Sequence, residues 1–544
     1  MNNSKKPAVT QEHKILFKNT FYSYLNNYGS YIFSLVTSFM LARLISQDLW
    51  GYLILSLSYI TIIGIIISFL PPGLNHSLIY YISRYRVQKE KSKIKSIIKN
   101  AIILKVLFLL PIFIISIIFF YFFSTFLEIN LKEHTNLLFI FSPLILVNAL
   151  NPTLNSINQA FDRFRLLFFL LVLRYSFNIG SLIYLIFNIK FVSIETIAFI
   201  DLFSFLIPFI GNCFLIMIYY FKMKNPREEK LTIKESLSQS LSYGGYITLG
   251  SVINEFWNEL SVQSIGIFET PRWVTGYKIS YNYISVPRFS VTSFTGPLTI
   301  SFSRLYSNVN LESINKLFML TFHYTMFFFS LFTGIFYFLG DFFLSFVYGE
   351  SYLIFLIILQ ALLISSIFTV LGAQFESLIY ASNKVKFLPK LLLIVYIIKA
   401  PLFFIGLIYF GILGAIIGLL INSILNFLIR IILCFKIFNI RIDIKRILKQ
   451  YLSFFISLAF IIILNYIFLD NLNAIIFQGL NLSILKNLKL IAVSLYILVF
   501  LILNVIFKVF SKKDIEYLEA MFEKDKKVFL IVKKGLNLFK RYLS

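Results

Sequence analysis

The 544-residue chain reads as an all-α polytopic membrane protein with about fourteen transmembrane helices, and three observations predict it. Hydrophobic residues make up 58% of the chain and charged residues only 14%, too few to coat a water-soluble body of this size. The apolar residues gather into fourteen runs of about 20 residues or more, the length a helix needs to cross roughly 30 Å of hydrocarbon. The runs are continuous, which excludes an outer-membrane barrel, whose strands alternate in polarity over about 10 residues. Helices are then the remaining way to satisfy the backbone in lipid.

The runs fall at 19–44, 51–70, 99–123, 135–158, 166–188, 196–221, 238–262, 273–300, 315–339, 353–381, 388–410, 411–435, 450–469 and 487–510. Between them, Lys and Arg divide sharply between alternate loops. With the lysines at run ends counted in the adjoining loops, one set of loops and tails holds 38 of the 50, the other set holds 5, and 7 lie deeper inside the runs. Positively charged loops stay cytoplasmic, so both termini are expected inside a cell membrane. The formal net charge of +25 is then topology, and no nucleic-acid partner is expected. The longest inside loops are 84–99 and 222–235, and no outside loop reaches 20 residues. The N-terminal 14 residues are polar, and the first run is long enough to span, so no cleavable signal is expected. In the tail 511–544, Ile515, Leu518, Met521 and Phe522 recur at helical spacing, as do Phe529, Val532, Leu536 and Phe539. A basic amphipathic helix on the inner leaflet, or a helix that docks a partner, accounts for that pattern.

Landmarks recur at a steady offset. Gly51-Tyr52 follows Trp50, and Gly276-Tyr277 follows Trp273. Pro71-Pro72-Gly73 leads to Ser83-Arg84, and Gly296-Pro297 leads to Ser303-Arg304. Ala160 and Ala381 close the fourth and tenth runs. The offsets cover six runs, an even number, so the two copies share one orientation. That predicts two parallel six-helix lobes, 1–235 and 236–440, around a central cavity, with 441–510 as two added spans and 511–544 as the tail. Two such lobes suit alternating access.

The stretch Leu41-Ala42-Arg43-Leu44-Ile45-Ser46-Gln47-Asp48-Leu49-Trp50-Gly51-Tyr52 resembles the first hairpin of polysaccharide and oligosaccharide flippases. Those belong to the multidrug/oligosaccharidyl-lipid/polysaccharide exporter superfamily. Ala160-Phe161-Asp162-Arg163-Phe164 and the segment from Gly276-Tyr277 to Ser303-Arg304 look similar to later landmarks of the same family, and the resemblance covers roughly 16–440. It implies a cavity lined mainly by spans one, two, seven and eight. It also implies flipping of a lipid-diphosphate-linked glycan from the inner to the outer leaflet. Fourteen spans look more like the peptidoglycan-precursor flippases and some polysaccharide exporters, in which the added pair builds a groove for the lipid tail.

Ionisable groups at hydrocarbon depth are costly unless they face water or a partner, so each is a candidate. Arg288, Arg174 and Lys399 sit near mid-depth and Lys278 nearer the outside, cations suited to a diphosphate or to pairing with acids. Asp201, Glu255, Glu259 and Glu376 are candidates for ion coupling; Glu255 and Glu259 share a helix face, with Lys278 expected at about their depth. Arg174 and Arg288 have no obvious acid at their depth. Arg43, Lys105 and Arg430 lie near span ends and are read as structural, with snorkelling heads. His323 is read as a satisfied polar group in a bundle. Pro71, Pro72, Pro287 and Pro297 are either hinges or static kinks. Cys213 and Cys434 read as apolar filler, and the histidines (His13, His76, His134 and His323) lack metal-ligand spacing, so no metal and no cofactor is expected.

A lipid-linked oligosaccharide flippase is the leading expectation, acting as a monomer among membrane lipids beside glycan-assembly enzymes. A multidrug or organic-cation exporter should have an acidic, aromatic cavity, whereas the mid-depth charges here are mostly basic. A membrane glycosyltransferase or polymerase needs sizeable outer loops, and a scaffold would not explain the repeat. No phosphate-binding glycine loop ending in Gly-Lys-Ser/Thr is present, which argues against ATP hydrolysis by this chain.

Overall fold

A computed structural model describes residues 6–123, 134–188, 192–223, 231–292, 295–307, 311–382, 384, 386–476 and 482–509. The tail expected to form an amphipathic helix lies outside the described residues. The helices begin with α1 (Lys6–Leu44), α2 (Gln47–Phe69), α3 (Leu74–Val87) and α4 (Lys91–Phe123). They continue with α5 (Asn136–Phe141), α6 (Pro143–Ala160), α7 (Phe164–Asn188), α8 (Ile194–Lys222) and α9 (Ile233–Phe268). The rest are α10 (Pro271–Thr292), α11 (Thr295–Ser307), α12 (Leu311–Phe343), α13 (Leu356–Ile367), α14 (Val370–Ala381), α15 (Phe387–Phe438), α16 (Ile444–Ile476) and α17 (Leu482–Ile506). No strand occurs among the described residues. Nine helical stretches among them are long and apolar enough to cross a membrane by length and composition. A count of fourteen crossings remains a proposal.

Each boundary has a local cause. Ser46 Oγ accepts the Leu49 N–H at 3.3 Å and starts α2. Thr232 and Glu235 form a reciprocal capping box at the start of α9. Because Glu235 accepts the Thr232 backbone and side-chain hydrogen bonds, its carboxyl is held below the usual glutamate range. α2 stops before Pro71 and Pro72, which lack N–H donors, and Gly73, at φ +80°, makes the left-handed turn into α3. The 52-residue α15 reverses at Gly411 (φ 64°, ψ −157°), so it is a hairpin of two arms. The arms lie close enough that a Cβ on Gly406 would come 2.2 Å from the Gly414 carbonyl oxygen.

The order of elements repeats. Span eight is described as α10 and α11, and span two is broken in two, as α2–α3. So are spans four and ten, as α5–α6 and α13–α14, while α7 and α8 correspond to the two arms of α15. The 225-residue offset also appears as a contact: Arg272 Nε donates to Gln47 Oε1 at 2.5 Å, and the two residues are 225 apart. Equivalent hairpins therefore touch each other. Gly51 permits this approach, since a Cβ there would lie 2.0 Å from the Pro271 carbonyl oxygen.

The chain divides into two compact units, residues 1–278 with 385–397 and residues 279–384 with 398–544. In the first unit α1 lies along α7, α7 on α8, and α2 and α3 on both α6 and α9. Leu78, Ile82, Ile98 and Ile157 are almost fully buried in its core. α9, which the sequence places at the head of the second lobe, packs within this unit, and a lobe boundary at residue 235 remains a proposal. In the second unit α12 is central, contacting α13, α14, α16 and α17. The added helices are tied to it by specific contacts. Gln450 Nε2 donates to the His323 carbonyl at 2.9 Å, and Gln450 Oε1 lies 2.8 Å from His323 Nδ1. The expected hydrogen bond in the bundle is found at His323 Nδ1. Tyr496 seats its ring over Gly334 and donates its hydroxyl to the Ser330 carbonyl at 2.9 Å. Outward faces stay apolar: Phe187 is 81% exposed and Tyr409 75%, as suits hydrocarbon and not water.

Candidate functional site

The ionisable residues inside the runs separate into distinct settings, which sequence order alone does not reveal. In the second unit, Arg288 of α10 and Lys399 of the first α15 arm are close enough to act on each other electrostatically. The Arg288 guanidinium lies 5.6 Å from the Tyr281 ring and donates Nη1 to the Tyr281 hydroxyl at 3.4 Å. Its Nε is buried without a hydrogen-bond partner, and no carboxylate lies within ion-pair distance of it among the described residues. Arg288 thus keeps a buried donor unbonded within electrostatic reach of a second cation.

Arg174 is placed differently. The sequence shows no obvious acid at its depth, but α8 brings Asp201 within electrostatic reach of it. Asp201 also accepts from Asn178 Nδ2 at 2.7 Å, and Arg174 stacks 3.5 Å from the Phe205 ring centre. Arg174, Asn178 and Asp201 thus form one cluster between α7 and α8, with Asn178 buried and the two charged residues half-buried. The absence of an acid is corrected: α7 and α8 are antiparallel neighbours, and pairing runs across helices.

Glu376 pairs with Arg430, which reaches it through Nη1 at 3.2 Å and Nη2 at 3.3 Å while lying over Gly372. Arg430 is therefore buried and bonded, not snorkelling. Glu255 is exposed and Glu259 half-buried on α9, and they act on each other electrostatically. Lys278 is half-buried and makes no ion pair with either among the described residues, so sharing a depth does not bring them into contact. Lys105 is wholly buried and not snorkelling; its Nζ donates to the carbonyls of Ile67 at 3.1 Å and Ser68 at 2.8 Å. Pro71 and Pro72 occupy the α2–α3 break, Pro287 lies inside α10, and Pro297 is in the first turn of α11.

A network overlooked in the sequence joins α6 to α8. Asn212 Nδ2 donates to Asn151 at 3.0 Å and to Asn155 at 2.8 Å, and accepts from Asn158 at 2.5 Å. The helical spacing of Asn151, Asn155 and Asn158 carried the signal, because three amides on one face of an apolar run need partners.

Residues 16–304 match the family of polysaccharide biosynthesis proteins. The chain belongs to that family. No curated protein matches it. Among solved structures, it is similar to an inward-facing multidrug resistance MATE family transporter of the MOP superfamily, with TM-score 0.61 and 14% identity over 73% of this chain and 92% of that one. A MATE transporter of Vibrio cholerae gives TM-score 0.55 at 16% identity, covering 77% and 94%. A MOP superfamily transporter of Pyrococcus furiosus, described as having a binding pocket of reverse polarity, gives 0.54 at 14%, also covering 77% and 94%. The fold of this chain is therefore MATE-like.

Proposed function

We propose that the protein flips a lipid-diphosphate-linked oligosaccharide from the inner to the outer leaflet by alternating access. The observation that carries this reading is the Arg288–Lys399 pairing of cations in the second unit, with the orphaned Arg288 Nε. A diphosphate concentrates negative charge, and a planar guanidinium matches its oxygens with two parallel hydrogen bonds. Membership in a polysaccharide biosynthesis family supports a glycan cargo. Lys278 and Arg174 are the further candidate cations, Arg174 through its pairing with Asp201. The inside-positive loops support a cell-membrane location with both termini cytoplasmic, and the lipid-linked glycan and neighbouring assembly enzymes are the expected partners.

Complementation of a strain lacking its lipid-linked-glycan flippase tests the reading. Arg288→Ala should lose transport by at least tenfold while reaching the membrane in normal amount, and Arg288→Lys should keep part of it. Normal complementation by the alanine variant would remove the cationic-site reading.

Export of an organic cation is the second reading, favoured by the multidrug MATE neighbours and by the exposed Glu255. Drug extrusion that survives Arg288→Ala and is lost in Glu255→Gln would establish it in place of the first.

A further inference from the structure

The helix that opens the second copy is fastened to the first at both of its ends. Toward the C-terminus of α9, Gln263 Nε2 donates to the Leu55 carbonyl at 2.9 Å, and Ser58 Oγ donates to the Glu259 carbonyl at 3.3 Å. Leu55 itself packs on Gly266, where a Cβ would come 2.3 Å from Leu55 Cδ2. Just beyond α9, Thr275 Oγ1 donates to the Gln47 carbonyl at 2.8 Å. Toward the N-terminus, Ser240 Oγ donates to the Pro72 carbonyl at 2.7 Å, and Asn100 Nδ2 of α4 donates to Ser236 Oγ at 2.9 Å. Gly73 and Gly244 meet there backbone to backbone.

Another face of α9 is held by the start of α15. The Tyr396 hydroxyl donates to Asn254 Oδ1, the Trp257 and Tyr396 rings lie 5.5 Å apart, and a Cβ on Gly250 would lie 3.3 Å from Leu388 Cδ2. Such contacts resist parting. Gln263 and Thr275 are buried donors that would lose their carbonyls, and close helix approach through glycine is tight packing that lipid does not replace.

The chain leaves this unit at 278/279, within α10, and at 397/398, within the first arm of α15. Each crossing runs through continuous helix, and a proline follows it: Pro287 inside α10 and Pro401 inside the arm. A proline has no N–H for the carbonyl four residues earlier, so Tyr283 and Ile397 lose that helical bond. Arg288 adjoins the first proline and Lys399 lies two residues before the second. We infer that α9 belongs mechanically to the first copy, against its place in the repeat. α1–α9 and residues 385–397 then move as one body, and the helices that yield during transport are α10 and the first arm of α15, near Pro287 and Pro401. The cation pair rides on those two connecting helices, beyond the point where each leaves that body.

The transport part of this inference rests on the proposed flippase activity, and the mechanical part is measured separately. Spin labels are placed on the full chain in lipid nanodiscs, with Cys213 and Cys434 replaced by alanine, at the exposed positions Phe203 of α8, Tyr246 of α9 and Phe328 of α12. Electron–electron distances for Phe203→Cys/Tyr246→Cys should be single and unchanged by farnesyl diphosphate. Those for Tyr246→Cys/Phe328→Cys should be split or shifted. Movement in the first pair would overturn the inference, and so would a fixed distance in both. A disulfide supplies the second test, since a Cβ on Gly266 would lie 3.2 Å from Leu55 Cγ. Leu55→Cys/Gly266→Cys, oxidised with copper phenanthroline, should flip a lipid-linked glycan in vesicles within threefold of its reduced form. A larger loss would show that α9 parts from α2 in each cycle, and the inference fails. If the distances behave as stated but the unaltered chain flips nothing, the boundary stands and the flippase reading falls. Should the cysteine pair not insert, the distances still decide.

Discussion

Arg174 and Arg288 look alike in sequence, two arginines in the middle of apolar runs, yet they occupy opposite chemical situations. Arg288 has a cationic neighbour and an unused donor, whereas Arg174 has Asp201, Asn178 and an aromatic face. The difference makes a prediction about stability. Arg174→Ala leaves the half-buried Asp201 without its nearby counter-charge, which should cost about 1–3 kcal/mol, between the values for exposed and buried pairs. Thermal unfolding in detergent should show that loss, and Arg174→Ala/Asp201→Asn should recover most of it, since no unpaired charge remains. A double variant no more stable than the single would mean that the two residues are not coupled. The same logic separates Glu376, bonded to Arg430, from Glu255, exposed with Glu259 one turn away. If a carboxylate pair couples transport to a proton or sodium gradient, Glu255→Gln/Glu259→Gln should abolish gradient dependence in a reconstituted flipping assay. Retained dependence would point to another group, or to a positively charged site sensing the membrane potential at about 2.3 kcal/mol per charge per 100 mV.

At the scale of elements, small residues decide which helices touch. Gly51, Gly73, Gly244 and Gly334 each admit a neighbour that a single added carbon would push away. Gly334 is the clearest case, since a Cβ there would lie 1.9 Å from Tyr496 Cζ. Gly334→Ala should therefore loosen α17 from α12 and lower the melting temperature by several degrees, and Tyr496→Leu in the same chain should recover part of it by removing the ring. No change on Gly334→Ala would show that α17 is not seated there. The broken spans were partly legible: Pro71-Pro72-Gly73 announces its break, because two missing donors and a left-handed glycine end a helix. The break within span ten was not. Its segment Ser366-Ile367-Phe368-Thr369 contains no proline or glycine, and it turns where serine and threonine hydroxyls take over backbone carbonyls.

For the whole molecule, the partition of positive charge sets the expected topology. Reporter fusions after residues 90 and 225 should read inside, and fusions after 190 and 345 outside. One reversed pair would mean that a run has been split or merged. The junction of the runs 388–410 and 411–435 falls where Gly411 reverses the 52-residue α15. The sequence order of the repeat and the grouping in space also differ. α9 opens the second copy yet packs in the first unit, through the close approach that glycines on α3 and α9 permit.

The all-helical, membrane-spanning class was determined by the sequence itself, because continuous apolar runs admit one backbone solution in lipid. So was the expectation of a repeat, because turn residues recur at a nearly constant offset. Which charges are satisfied was decided only in three dimensions. Whether a buried ion is structural or available depends on what lies across the helix interface from it, and spacing along one chain carries no record of that. Lys105 reads as a snorkelling side chain near a span end, and becomes the cap of a broken helix once α4 is packed on α2.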